Sequence, residues 1–212
     1  SFWHILLGKG LWSLFTLGFV FWIPHYLHRT HDLGLGVIGT AMGVYTLGIG
    51  ATGILTVGWV TQRLQVRDIR WLLGILVVAA LVAIPFIWIF LTTKSIWVAA
   101  LCALPPVFVY SANLGPTSSA AQAVVPANMR TVTAGLTQVV QGFLGMGLGP
   151  FVPGVISDLL EPRFGADSLR YSLMLLSLLW LWASIHFLLA NRTIREDIAR
   201  ADRINMGAER SE

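Results

Sequence analysis

Six stretches of this chain contain no Asp, Glu, Lys or Arg: Gly10 to His28, Leu33 to Gln62, Trp71 to Thr93, Ser95 to Met129, Thr131 to Ser157 and Tyr171 to Asn191. Crossing roughly 30 Å of hydrocarbon at about 1.5 Å per residue takes about 20 helical residues, and backbone amides in lipid are satisfied only in a helix or a closed barrel. Each stretch is long enough. With 56% hydrophobic residues, 11% charged residues and a mean hydropathy of +0.74, against about 25% charged in soluble domains, the expected fold is all-α and membrane-embedded. Spans are expected over about residues 3–28, 35–63, 70–92, 95–125, 131–158 and 169–191, forming one bundle over residues 1–191. Beyond it, residues 192–212 carry Arg192, Glu196 and Arg200 four apart, the pattern of an amphipathic cytoplasmic helix.

The net charge of +4 is scattered at helix ends and forms no basic stripe, so no nucleic-acid partner is expected. Placing both ends in the cytoplasm puts Arg63, Arg67, Arg70, Arg130, Arg192, Arg195, Arg200, Arg203 and Arg210 inside and Arg29, Lys94, Arg163 and Arg170 outside. That is a positive-inside bias, as for a multi-pass protein of the cell's inner membrane. Lys9, about 10 Å into the first span, is expected to snorkel to the headgroups, with a place in a transport path as the alternative. Cys102, the single cysteine, supports no intrachain disulfide and no thiolate cluster and reads as a small packing residue. The chain opens on Ser1 and Phe2, with no initiator Met, basic leader or cleavage site, so sequence upstream is expected.

Glycine and proline follow an order that occurs twice. Pro24 in the first span and Pro105 with Pro106 in the fourth are expected to break their helices; the second and fifth spans are glycine-rich; the third and sixth are plain and expected to face lipid on most sides. Two such triplets are what a 3+3 inverted repeat leaves in a sequence. Gly39 with Gly43, and Gly145 with Gly149, stand four apart, so tight packing or sliding is expected at both places. The stretches Gly34 to Gly39 and Gly48 to Gly53 match a dinucleotide fingerprint by letter only: neither follows a strand or precedes a ribose-binding acid, and no cofactor is expected.

Polar side chains in spans are costly unless they face the bundle interior or a water-filled cavity. Tyr110, Asn113 and Thr117 share a face of the fourth span, Gln138 and Gln141 continue one in the fifth, and Tyr45, Thr52 and Thr56 form a stripe in the second. His25, His28 and His31 recur every three residues; an interfacial anchor is favoured over a metal site or a pH sensor. His186 reads as a core or lipid-edge histidine. Asp158, with Glu161 and Arg163, reads equally as an outer-mouth gate or a solvated loop. No nucleophile triad, zinc-protease pattern, phosphate loop or paired carboxylates are present, so the chain is not expected to be an enzyme.

Several local motifs together resemble a known family. They are Phe21-Trp22-Ile23-Pro24, Gly58-Trp59-Val60-Thr61-Gln62-Arg63, Leu114-Gly115-Pro116-Thr117, Val125-Pro126-Ala127-Asn128-Met129-Arg130 and Gly145-Met146-Gly147-Leu148-Gly149-Pro150, with Gly154 to Asp158, Phe164 to Tyr171 and Arg195-Glu196-Asp197 further on. The chain resembles the C-terminal six-helix half of a major facilitator superfamily transporter, most closely the bacterial Spinster-like branch. The family's loop motif usually has Asp where this sequence has Gln62, before Arg63.

The resemblance implies a secondary carrier, proton-linked or facilitative, that alternates access around a midplane site and moves amphiphilic or lipid-like solutes. It implies an N-terminal six-helix half as partner, carrying the proton-coupling carboxylate, besides the bilayer and a small-molecule substrate. Substrate is then expected against Trp22, Tyr45, Tyr110, Asn113, Thr117, Gln138 and Gln141, with gating contacts at Arg63, Arg130 and Asp158. The first, second, fourth and fifth helices would line the cavity while the third and sixth brace it. The alternatives are a complete six-helix protein acting as a homodimeric carrier or channel, and a non-transporting membrane scaffold.

Overall fold

The computed structural model describes residues 1–110 and 113–209, and among these every long element is helical. Arg210 lies outside the described residues. Helix α1 is Phe2–His31, α2 is Leu35–Gln65 and α3 is Trp71–Thr92. Helix α4 is described as two pieces, Ile96–Tyr110 and Leu114–Ala123; α5 covers residues 130–164 and α6 is Ser168–Glu209.

Ala127 to Gly207 reads as a single apolar helical run of 81 residues, which as one rod would be about 120 Å long. It is two crossings. Gly165, with φ +50, takes up a left-handed conformation that a side chain would strain, and one 3-10 turn then leads into α6. Beyond the turn the Ser157 and Ser168 hydroxyls meet at 3.0 Å, and the Ser172 hydroxyl donates to the Pro153 carbonyl at 2.7 Å. These pairings make α5 and α6 antiparallel, giving six crossings.

Contacts between the helix ends set the threading. At one end Arg195 meets Asp68 at 2.7 Å, the Ala127 N–H donates to the Asn205 side-chain carbonyl at 2.9 Å, and the Ser1 hydroxyl donates to Asp197 at 2.7 Å. The start of α1, the α2–α3 turn, the α4–α5 turn and the extension of α6 therefore share one side. At the other end the Tyr26 hydroxyl donates to the Leu91 carbonyl at 2.7 Å, and α1 closes on left-handed Asp32 with a His28 ring nitrogen 2.8 Å from the Leu33 carbonyl.

The repeated order has a backbone counterpart. The glycine-rich part of α2 widens into a π-helix at Tyr45–Gly50, and that of α5 does so at Gln141–Leu148. Glycines ease this departure from α geometry, and π segments are rare elsewhere. The proline expectation is corrected for both spans: α1 continues through Pro24, and the helical piece Ile96–Tyr110 runs through Pro105 and Pro106, as α3 does through Pro85. Neighbouring helices support a membrane helix where proline removes a hydrogen bond.

Packing centres on α1 and α6. The Trp12 and Trp180 rings stack at 4.5 Å with Phe15 edge-on to Trp180 at 5.0 Å, each such pair worth about 0.5–1.5 kcal/mol beyond the area it buries. Where α1 crosses α5, glycines set the distance: a Cβ on Gly149 would lie 3.0 Å from the Gly18 nitrogen, and one on Gly18 would strike the Gly149 carbonyl. Close backbone approach replaces the hydrophobic drive that lipid removes. Gly145 packs likewise on Ser13 and Leu17, but a Cβ on Gly39 or Gly43 would have nothing within 4 Å, so the expected packing there does not occur among the described residues. The third and sixth helices keep an exposed apolar face, with Val78, Leu81 and Trp88 of α3 and Leu175, Trp182 and Ile185 of α6, beside a buried one. Leu73, Leu76, Ala80, Ala83 and Ile87 of α3, with Leu173, Ala183 and Phe187 of α6, are fully buried, whereas α2 leaves Val44, Leu47, Leu55 and Trp59 exposed.

Candidate functional site

Away from the Asp68–Arg195 end, the bundle holds a partly open apolar cavity of about 320 Å³. Helix α1 supplies Phe15, Thr16, Phe19, Val20 and Ile23; α2 supplies Ile38, Met42, Tyr45 and Thr46; Ile87 and Phe90 come from α3, Ala99 to Tyr110 from α4, and Trp180 from α6. Aliphatic and aromatic walls with a few hydroxyls suit a ligand that is mostly hydrocarbon.

Two of the expected site residues meet at this cavity. Tyr45 and Tyr110 both line it, and the Tyr45 hydroxyl donates to the Ala100 carbonyl at 2.9 Å, tying α2 to α4. Asn113 and Thr117 are buried further along α4, where the Thr117 hydroxyl donates to the Asn113 carbonyl at 2.6 Å. Trp22 lies on another face of α1. Its indole N–H donates to the Pro150 carbonyl at 2.7 Å and its ring sits against Gly154, so it joins α1 to α5. Gln138 is exposed on α5, while Gln141 is half-buried with its side-chain oxygen buried and unbonded among the described residues. No residue of α5 lines the cavity. Thr52 is exposed and donates to the Ile49 carbonyl of its own helix at 2.8 Å.

The three gating candidates stand apart. Arg63 is exposed and lies over the Trp59 ring at 3.9 Å. Arg130 is exposed at the start of α5, and Asp158 is exposed towards that helix's other end. The histidines also disperse: His25 packs on Trp22, His31 on Tyr26, and His186 pairs with His4 through ring nitrogens 2.9 Å apart.

Lys9 overturns its expected place. It is 1% exposed, with its ammonium 3.4 Å from the Ser118 hydroxyl of α4. Gly8 lies against Phe187 of α6 and Gly10 against Leu144 of α5, so the residue between them points into the bundle and cannot reach the headgroups. The signal was available, since Lys9 is a basic residue within an apolar helix; its direction depended on neighbours from three other helices. Phe15, Phe19, Met42 and Phe90 carried no such signal, because apolar side chains are ordinary in a span.

Residues 1–150 match the family model described as Major Facilitator Superfamily. The chain belongs to this superfamily. Its relatives are membrane transporters and not enzymes. It is 31% identical over 199 residues to an MFS-type efflux pump of Mycolicibacterium smegmatis, covering 93% of this chain and 46% of that protein. Its fold is similar to that of a bacterial homologue of the human lysosomal transporter Spinster. In the inward-facing, unoccupied conformation the TM-score is 0.82 at 21% identity, covering 92% of this chain and 48% of the other. In the inward-facing, occupied conformation it is 0.79 at 20%, covering 92% and 50%. The chain thus spans about half the length of these relatives, and as a superfamily member it has the six-helix fold of one half.

Proposed function

We propose that this chain is one six-helix half of a secondary active transporter that moves a small amphiphilic or lipid-like solute by alternating access. The apolar cavity carries the reading: its volume of about 320 Å³ accommodates an alkyl chain, and its hydroxyls at Tyr45, Tyr110 and Thr46 can orient one end. The exposed apolar faces of α2 and α5, including Leu47, Leu55, Val139 and Phe143, are where the other six-helix half would dock and rock. The π-helical segments beside those faces are places where the helices can change register. The charge pattern supports the cell's inner membrane with both ends of this segment cytoplasmic. Proton coupling would use a carboxylate from the other half.

The reading is tested by uptake of a fluorescent alkyl probe into proteoliposomes holding the full-length protein. Saturable uptake is expected, and Ala103→Trp, which fills the cavity, is expected to reduce it while leaving the melting temperature close to wild type. Uptake that ignores a filled cavity in a folded variant would remove the cavity from the transport path. Ion currents that do not saturate would favour a channel.

A further inference from the structure

Where α1, α3 and α6 meet, at the end away from Asp68 and Arg195, two buried side-chain nitrogens have no partner. They are Nε2 of His31, in the last turn of α1, and Nε of Arg170, in the first turn of α6, both unbonded among the described residues. Arg170 is the charged neighbour of the His31 ring and also approaches the Tyr26 hydroxyl. Tyr26 fixes the place: its ring stands edge-on to His31 at 6.4 Å, and its hydroxyl holds the Leu91 carbonyl of α3 at 2.7 Å. Asp167, in the turn before α6, lies 3.2 Å from the Arg170 guanidinium and balances its charge. The other ionisable groups of these helix ends turn to the surface. His25, Arg29 and Asp32 of α1, Lys94 after α3, and Asp158, Glu161 and Arg163 of α5 are exposed, and exposed His28 is engaged at 2.8 Å with the Leu33 carbonyl.

A neutral imidazole accepts at one nitrogen, whereas a guanidinium only donates. While His31 is neutral, the cluster holds an acceptor beside a donor, and Asp167 leaves it without net charge. A proton on His31 makes donors of both buried nitrogens and sets a second positive charge beside Arg170 with no carboxylate to match it. In a half-buried place that repulsion is weakly screened. We propose that His31 is an acid-operated latch: neutral, it keeps the last turn of α1 against α6, and protonated, it is driven from Arg170 and releases that turn. Ile23, Leu27 and Leu33, from the same end of α1 and the turn after it, line the apolar cavity, so release widens the rim of that cavity. The latch stands by itself; its consequence for transport, that acid on this side favours an open cavity, rests on the carrier reading above.

The test is hydrogen exchange of the full-length protein in phosphatidylcholine nanodiscs, read over residues 26–31 as protection factors relative to the intrinsic rate at each pH. Wild-type protection is expected to fall about five- to tenfold from about pH 7.5 to about pH 5.5, the range in which a released imidazole, with its ordinary pKa of about 6.5, takes up a proton. His31→Gln cannot titrate there and is expected to hold its protection within about twofold, whereas His28→Gln keeps the wild-type fall. Arg170→Gln removes the repelling charge and is expected to reduce the fall to about twofold or less. Wild-type protection that does not change with pH overturns the proposal, and so does an undiminished fall in His31→Gln. The wild-type titration needs no variant, so a poorly folded His31→Gln protein does not shield the idea. The expected fall in a protein that shows no saturable uptake of the alkyl probe would keep the latch and sink the carrier reading.

Discussion

The Arg195 guanidinium lies 2.7 Å from the Asp68 carboxylate, joining the turn after the second crossing to the helix that emerges from the sixth. An even number of crossings separates the two residues, as a shared side of the membrane requires. The Arg70 backbone N–H, 3.0 Å from Asp68, and then the Arg195 guanidinium hold this carboxyl below the ordinary carboxylate range. Because the folded group titrates below the unfolded one, the contact contributes fully above the ordinary carboxylate pKa and is lost as pH falls through the depressed value. Protection factors of residues 66–70 and 192–205, taken relative to the intrinsic exchange rate at each pH, should therefore be high at neutral pH and fall in acid. Asp68→Asn should show the low protection already at neutral pH; equal protection in variant and wild type would mean that the pair holds nothing.

Trp22→Phe keeps the ring against Gly154 but removes the donor to the Pro150 carbonyl. A stability loss of about 1 kcal/mol is expected, seen as a lower melting temperature in detergent, with uptake affinity nearly unchanged. A large rise in the uptake KM with no change in melting would instead put Trp22 on the substrate.

At the α1–α5 crossing, Gly18→Leu and Gly149→Leu each push the backbones apart, at a cost of about 1–3 kcal/mol or more for overpacking. Since either change already opens the same crossing, the double variant should melt well above the temperature that simple addition gives. Strict additivity would show that the two glycines act in separate contacts.

Tyr26→Phe removes the buried donor to the Leu91 carbonyl. Leaving that acceptor unpaired is expected to cost about 1–3 kcal/mol, measurable as a lower midpoint of thermal unfolding. An unchanged midpoint would show that the bond adds nothing to the α1–α3 contact.

The six crossings, their shared ends and the doubled glycine order are legible in the sequence, because lipid imposes its demands locally. A stretch either has enough apolar residues to cross or does not, and its backbone must bond to itself. The π-helical segments at Tyr45–Gly50 and Gln141–Leu148 fall in the two glycine-rich runs that the repeat singled out. Helical phase also placed Tyr45 and Tyr110 on inward faces, and both reach the cavity.

Phase alone cannot say which neighbour a face meets. Trp22, expected against substrate like Tyr45, is spent on a carbonyl of α5; Gly39 and Gly43 share the spacing of Gly145 and Gly149, yet among the described residues only the latter pair has a helix against it. Lys9 is the sharpest case, for a long basic side chain near a helix start reaches water in one surrounding and is enclosed in another. Three helices distant in the chain enclose it, and contacts of that range leave no periodicity along a single strand of letters. Hydropathy and backbone hydrogen bonding belong to a segment and can be read from it; burial and pairing belong to the assembled bundle and had to be seen there.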